Sequence, residues 1–136
     1  MTDVRILLVD DEPDIREVVD VSLGLDPDFK IRACASGADA LAVAAQWSPS
    51  IVLLDVMMPL MDGPTTLTKL RKDPRTANIP VVFLTARTQA EEIAQYISLG
   101  AKGVLSKPFD PMTLAASVRG YLPTSAADHA PLTQKI

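Results

Sequence analysis

The chain has 136 residues, 48% of them hydrophobic and 22% charged, with a formal net charge of −4 at pH 7 and one cysteine, Cys34. That length gives one domain with a core of its own; the acidic balance argues against a nucleic-acid-binding surface, and a lone thiol excludes an internal disulfide and is expected to be buried and inert. No apolar run approaches the ~18 residues of a membrane span and no leader precedes the first strand, so a soluble cytoplasmic protein is expected.

Val4 to Val9 is the first apolar strand, and Pro13 at a first helical turn opens a helix towards Leu25, broken by Asp26-Pro27-Asp28. Phe29 to Ala33 is a weaker strand whose alternating Lys30 and Arg32 suit a sheet edge. Ser36 with Asp39 three residues on predicts a capped helix to about Trp47, ended by Ser48-Pro49. Ile51-Val52-Leu53-Leu54 then reads as a strand buried on both faces, as in a parallel sheet. Burying an unpaired charge is costly. Asp55 therefore belongs at the carboxyl end of that strand, where such a sheet meets its ligand crevice.

Gly63-Pro64 starts a helix with Leu67 and Leu70 on one face and Lys69, Arg71 and Lys72 on the other; Asp73-Pro74 stops it. Val81 to Leu84 is another buried strand. Thr88-Gln89-Ala90-Glu91 reads as a second capping box, followed by Ile93, Ile97 and Leu99 as an apolar stripe and by Gly100 as the stop. Gly103 to Ser106 is a short last strand, and Asp110-Pro111 predicts the cap and first turn of a final helix to about Leu122. Residues 1–122 thus form the domain, and residues 123–136 are expected to be a flexible tail. Strand–helix pairs joined by short loops define an α/β fold, a doubly wound five-stranded parallel sheet with right-handed crossovers and helices on both faces.

In such a sheet the carboxyl ends of the strands open on one edge, so the loops carrying Asp10 and Asp11, Asp55, Thr85 and Lys107 converge there. Three ionised carboxylates need a counter-charge. Oxygen ligands without histidine or cysteine favour Mg²⁺, with Mn²⁺ as the alternative. Lys107 adds a point charge for a phosphoryl oxygen and Thr85 a hydroxyl donor. A carboxylate nucleophile in that company is equipped to become an aspartyl phosphate, and it needs no general base because it is already ionised.

These elements resemble the CheY-like receiver domain of bacterial two-component response regulators. The matching pieces are Asp10-Asp11-Glu12-Pro13, Asp55-Val56-Met57-Met58-Pro59, Met61-Asp62-Gly63, Thr85-Ala86 and Lys107-Pro108-Phe109, in the family's order and spacing. The resemblance implies the flavodoxin-like strand order 2-1-3-4-5 and phosphorylation of Asp55 by a sensor histidine kinase or histidine phosphotransfer protein. It further implies Mg²⁺ held by Asp10, Asp11, Asp55 and the backbone carbonyl of Met57. Thr85, Ala86 and Lys107 would be the phosphoryl-binding and switch positions, and Pro108 would follow a cis peptide bond. Beyond promoting its own phosphorylation and dephosphorylation, a receiver is not an enzyme.

One family position departs from the pattern. Many receivers carry Tyr or Phe in the last strand as the partner of the switch threonine, and here that place holds Val104. Output then travels by backbone or helix movement, or is weak. Its expected surface comprises residues 88–122, with Tyr96 and Val104 as the named output positions; Tyr96 is expected to be exposed and Ile97 buried. A monomer, or a weak dimer through that face, is expected. Met57 and Arg87, two residues after Asp55 and Thr85, should affect phosphoryl lifetime. Met57 and Met58 are otherwise expected to pack.

Taken singly, Asp10-Asp11-Glu12 could simply complement a helix N-terminus, and Thr85 and Lys107 gain meaning only from the set. A phosphatase of the haloacid dehalogenase type is the enzyme rival. It places its acidic pair after the lysine and needs a second aspartate where Met57 stands. A flavodoxin-type cofactor module is disfavoured because Asp10-Asp11-Glu12 would repel a phosphate. His129 lies in the tail, which argues against a triad, a metal site or a phosphohistidine. The chain reads as a stand-alone receiver or phosphorelay member acting through an unspecified protein partner; the alternative is the receiver of a longer regulator.

Overall fold

The computed structural model of the protein describes residues 3–122, so the expectations for the tail and for His129 lie outside the described residues. Five strands, β1 (Val4–Val9), β2 (Phe29–Cys34), β3 (Ile51–Asp55), β4 (Val81–Thr85) and β5 (Gly103–Ser106), alternate with five helices. These are α1 (Pro13–Leu23), α2 (Gly37–Trp47), α3 (Gly63–Lys72), α4 (Ala90–Ser98) and α5 (Leu114–Arg119). The strands form one parallel sheet in the order β2-β1-β3-β4-β5.

The central strands are apolar along Ile6–Val9, Ile51–Leu54 and Val81–Leu84 because both faces are covered there. Leu7, Val9, Val52, Leu54 and Phe83 point into one cluster, packed with Leu67 and Leu70 of α3 and Ala40 and Ala44 of α2. Ile6, Leu8, Ile51, Leu53 and Leu84 point the other way, against Val19 and Leu23 of α1 and Leu114 and Val118 of α5. Each fully buried aliphatic side chain contributes roughly 1.5–3 kcal/mol, so these two layers carry most of the driving force. β2 lies at the edge, where Lys30 and Arg32 are exposed. Cys34, at its end, is a buried free thiol.

The helix ends follow the local sequence signals at some positions and depart from them at others. The Ser36 hydroxyl accepts from the Asp39 N–H at 3.1 Å, the cap expected for α2. α1 stops at Leu23 rather than Leu25, because Gly24 already closes the turn on the Asp20 carbonyl. The Thr88 capping box does not form: α4 begins at Ala90 after Gln89, with no side-chain cap. The last helix also starts later than Asp110-Pro111 suggested. The Asp110 carboxylate accepts from the Met112 N–H at 2.9 Å and holds a separate turn, so regular helix covers only Leu114–Arg119. Asp62, which the sequence marks only within Met61-Asp62-Gly63, caps α3 by accepting from the Thr65 N–H at 2.9 Å. Among the described residues no helix is long and apolar enough to cross a membrane.

Candidate phosphoacceptor site

Asp55 is the last residue of β3 and is only 4% exposed. Its position follows from the register: β1 and β4 flank β3, and their ends deliver Asp10 and Thr85 to the same edge. Gly63 keeps this edge compact, because a Cβ there would collide with the Asp55 carbonyl oxygen where α3 begins. The Gly63 N–H donates to the Val56 carbonyl at 2.9 Å and fixes that approach. In the sequence Gly63 is a helix start and part of the Met61-Asp62-Gly63 match; its close approach to Asp55 needed the fold.

Lys107 follows β5 and its ammonium reaches back across the crevice. It donates to Asp10 Oδ2 at 2.9 Å and to Asp55 Oδ1 at 3.2 Å, with Glu12 Oε1 at 3.9 Å. Asp10 is fully buried; its other oxygen accepts from the Glu12 N–H at 2.9 Å, shaping the turn into α1. Carboxylate oxygens of Asp10, Asp11 and Asp55 lie within 4.8 Å of one another. Asp55 Oδ1 also accepts from the Met57 N–H at 3.4 Å. The Thr85 hydroxyl is buried and accepts from the Arg87 N–H at 2.9 Å. Ala86 follows it on the exposed loop into α4, and the Lys107–Pro108 bond is cis.

The electrostatics reflect this crowding. Burial raises the Asp55 carboxyl, the Asp10 charge raises it further, and Lys107 together with the Met57 N–H pulls it back, leaving it at about 6. Burial pushes Lys107 down, but its hydrogen bond to Asp10 and the charges of Asp10 and Asp55 outweigh that and hold the ammonium above its ordinary value. The crevice thus gathers two buried carboxylates, Asp10 and Asp55, and half-buried Asp11, with Lys107 paired to the first two. A hard cation with oxygen ligands fits that deficit of positive charge.

Three expectations need correction. Tyr96 is not an exposed contact: it is 9% exposed, and its ring centroid lies 5.0 Å from that of Phe83. Ile97, expected inside, is 44% exposed. The large ring offers more area to bury than the isoleucine, so α4 turns Tyr96 towards the sheet and leaves Ile97 on the flank. Met57 does not pack, being 74% exposed, whereas Met58 is buried. Val104 is partly buried against the same cluster as Tyr96. Arg16 went unnoticed in the sequence; its guanidinium donates to the Asp10 carbonyl at 2.8 Å and braces the acidic turn. No spacing rule points from Arg16 to that carbonyl, since the contact depends on how α1 leaves β1.

A doubly wound parallel sheet with an acidic crevice closed by a lysine defines a class, and the comparisons give the family. Residues 6–119 match the model of the response regulator receiver domain, so the chain belongs to that family. It is 44% identical over 119 residues to the response regulator Rre1 of Synechocystis sp., covering 88% of this chain and 52% of that protein. It is 43% identical over 116 residues to the response regulator PleD of Caulobacter vibrioides, covering 85% of this chain and 25% of that protein. To the DNA-binding dual master transcriptional regulator RpaA of Synechocystis sp. it is 39% identical over 118 residues, 87% of this chain and 48% of that protein. The chain therefore spans about half the length, or less, of these curated relatives. The solved structure of the chemotaxis protein CheY4 of Vibrio cholerae superposes with a TM-score of 0.82 at 31% identity, covering 89% of this chain and 100% of that one.

Proposed function

We propose that the protein accepts a phosphoryl group on Asp55 from a sensor histidine kinase or histidine phosphotransfer protein in the cytoplasm, and signals through protein contacts. The observation that carries this reading is the Lys107 ammonium bridging Asp10 and Asp55 inside a crevice formed by four strand ends. An Asp55 carboxylate oxygen forms the new bond to phosphorus while the bond to the donor imidazole nitrogen breaks, and that nitrogen keeps the electron pair. With its carboxyl at about 6, Asp55 is largely ionised at neutral pH and attacks without a base. Lys107 is placed to exchange its bond to Asp55 for one to a phosphoryl oxygen. The Thr85 hydroxyl, once turned from the Arg87 N–H, donates to another.

Asp10, Asp11 and Asp55, with the Met57 carbonyl, would hold Mg²⁺, or Mn²⁺ in its place. Bound there, the cation supplies the positive charge that offsets the carboxylates and the phosphoryl oxygens. The experiment is incubation with a small phosphodonor and Mg²⁺. One acid-labile phosphoryl group should appear, and Asp55→Asn should abolish it; full labelling of that variant would remove Asp55 from the role. The fractional coverage of the relatives supports a second reading, in which this receiver governs a further module of a longer regulator. The intact mass of the protein isolated from its own cells separates the two.

A further inference from the structure

α4 is tied to the rest of the domain at three points of unequal strength. Its N-terminal end has no side-chain cap and is held to the preceding loop by a long, exposed ion pair, Arg87 to Glu92 at 3.3 Å, of the kind worth little. That loop is joined to β4 by the Arg87 N–H donating to the Thr85 hydroxyl at 2.9 Å. Its C-terminal end is held firmly. Arg71 of α3, half-buried, donates to the Gly100 carbonyl at 3.1 Å and to the Ile79 carbonyl at 2.8 Å, and Gly100 turns the chain at φ 112°. Between these ends the tie is Tyr96, whose ring lies at 59° against Phe83 in the core. Phe83 stands two residues before Thr85 in β4, on the same face of the strand. Val104, the register partner of Phe83 in β5, packs against the same cluster and brings no ring of its own.

We propose that Tyr96 is the positioning residue that sets where α4 comes to rest when Thr85 moves, so that in this protein the aromatic of the switch is carried by a helix. This rests on the reading of Asp55 as phosphoacceptor and Thr85 as phosphoryl contact. When the Thr85 hydroxyl turns to a phosphoryl oxygen it gives up the Arg87 N–H, and the weakly held N-terminal end of the helix loses an anchor. The C-terminal end stays pinned by Arg71, so α4 pivots about Gly100. The one large side chain of α4 that reaches the core must then slide on Phe83, and the flanking Ile97, partly exposed, moves with it. A buried ring has few stable placements in a close-packed core, so the response is two discrete helix positions rather than a continuum.

The protein has two tyrosines, Tyr96 and Tyr121, so 3-fluorotyrosine gives two fluorine signals, assigned with Tyr121→Phe. Beryllofluoride with Mg²⁺ is the probe, and the fluorine signal of bound beryllofluoride reports adduct formation independently. In the otherwise wild-type protein the Tyr96 signal should shift as the adduct forms, and amide exchange over residues 90–101 should accelerate. Tyr96→Phe should keep the exchange response. Tyr96→Leu should form the adduct and lose the response, which a purely structural role would not predict. An adduct that forms with the Tyr96 signal unmoved overturns the inference and spares the phosphoacceptor reading, and this measurement needs no core truncation. A Tyr96→Leu protein that responds as wild type also overturns it. Absence of any adduct in the wild type overturns both readings.

Discussion

Asp55 is the residue whose chemistry and stability conflict. Its carboxyl sits at about 6 instead of 3.8 because burial and Asp10 oppose its charge more than Lys107 favours it. A carboxyl raised in the folded state contributes stability that is fully present below the unfolded value and lost as the pH rises through the folded one. In metal-free protein the loss therefore falls between about pH 4 and pH 6. Moving a carboxyl that far amounts to roughly 3 kcal/mol unscreened, and solvent at the crevice mouth reduces it to about 1 kcal/mol. Without metal, Asp55→Asn should accordingly be more stable than wild type by about that amount at pH 7.5 and lose the advantage near pH 4. Urea denaturation of both proteins at several pH values checks this; parallel pH profiles would mean that Asp55 is not under strain.

At the scale of elements, the helix ends decide how loops are presented at the crevice. α3 begins with Asp62 accepting from the Thr65 N–H, and Gly63 lets it start directly against Asp55. Asp62→Ala should cost about 1 kcal/mol, the usual loss for a helix cap. Since the capped turn leads out of the Asp55 loop, the variant should also show faster amide exchange over residues 57–66. A variant of wild-type stability would show that packing of Leu67 and Leu70 alone holds the turn. α4 presents the contrast, with no cap at its start and an arginine clamp at its end. Among these two helices, stability is concentrated near Asp55 and withheld where movement is proposed.

The whole molecule assembles the site from parts far apart in the chain. Lys107 meets Asp10 across 97 residues and Asp55 across 52, so the crevice exists only when the sheet is complete. A ligand of that crevice must therefore stabilise the entire fold by mass action, because the unfolded chain offers no preformed site. At ten times its dissociation constant Mg²⁺ should add about 1.4 kcal/mol, which raises the melting temperature of a domain this size by a few degrees. Asp11→Ala should reduce that gain without removing the fold, since Asp11 is only half-buried. Melting curves with and without Mg²⁺ test the pair; identical, unmoved temperatures in both proteins would exclude a hard-metal site at these acids.

The sequence by itself determined the class of fold, because apolar runs such as Ile51 to Leu54, alternating with helices through short loops, are buried on both sides in a covered parallel sheet. It also determined which polar residues stand at the sheet edge, because a charge ending such a run has nowhere else to go. Local signals were legible where one bond decides the outcome, as at Ser36. They failed where packing competes: the Thr88 box lost to a helix starting at Ala90, and Tyr96 outbid Ile97 for the interior because Phe83 was waiting beneath it. Periodicity alone cannot rank these two, since Tyr96 and Ile97 stand three and four residues after Ile93 and either spacing continues an apolar stripe. Arg16 on the Asp10 carbonyl, Arg71 on Gly100 and the close approach of Gly63 to Asp55 were decided by tertiary structure alone. Each joins groups whose separation depends on how a helix crosses the sheet, a quantity that no spacing along the chain encodes.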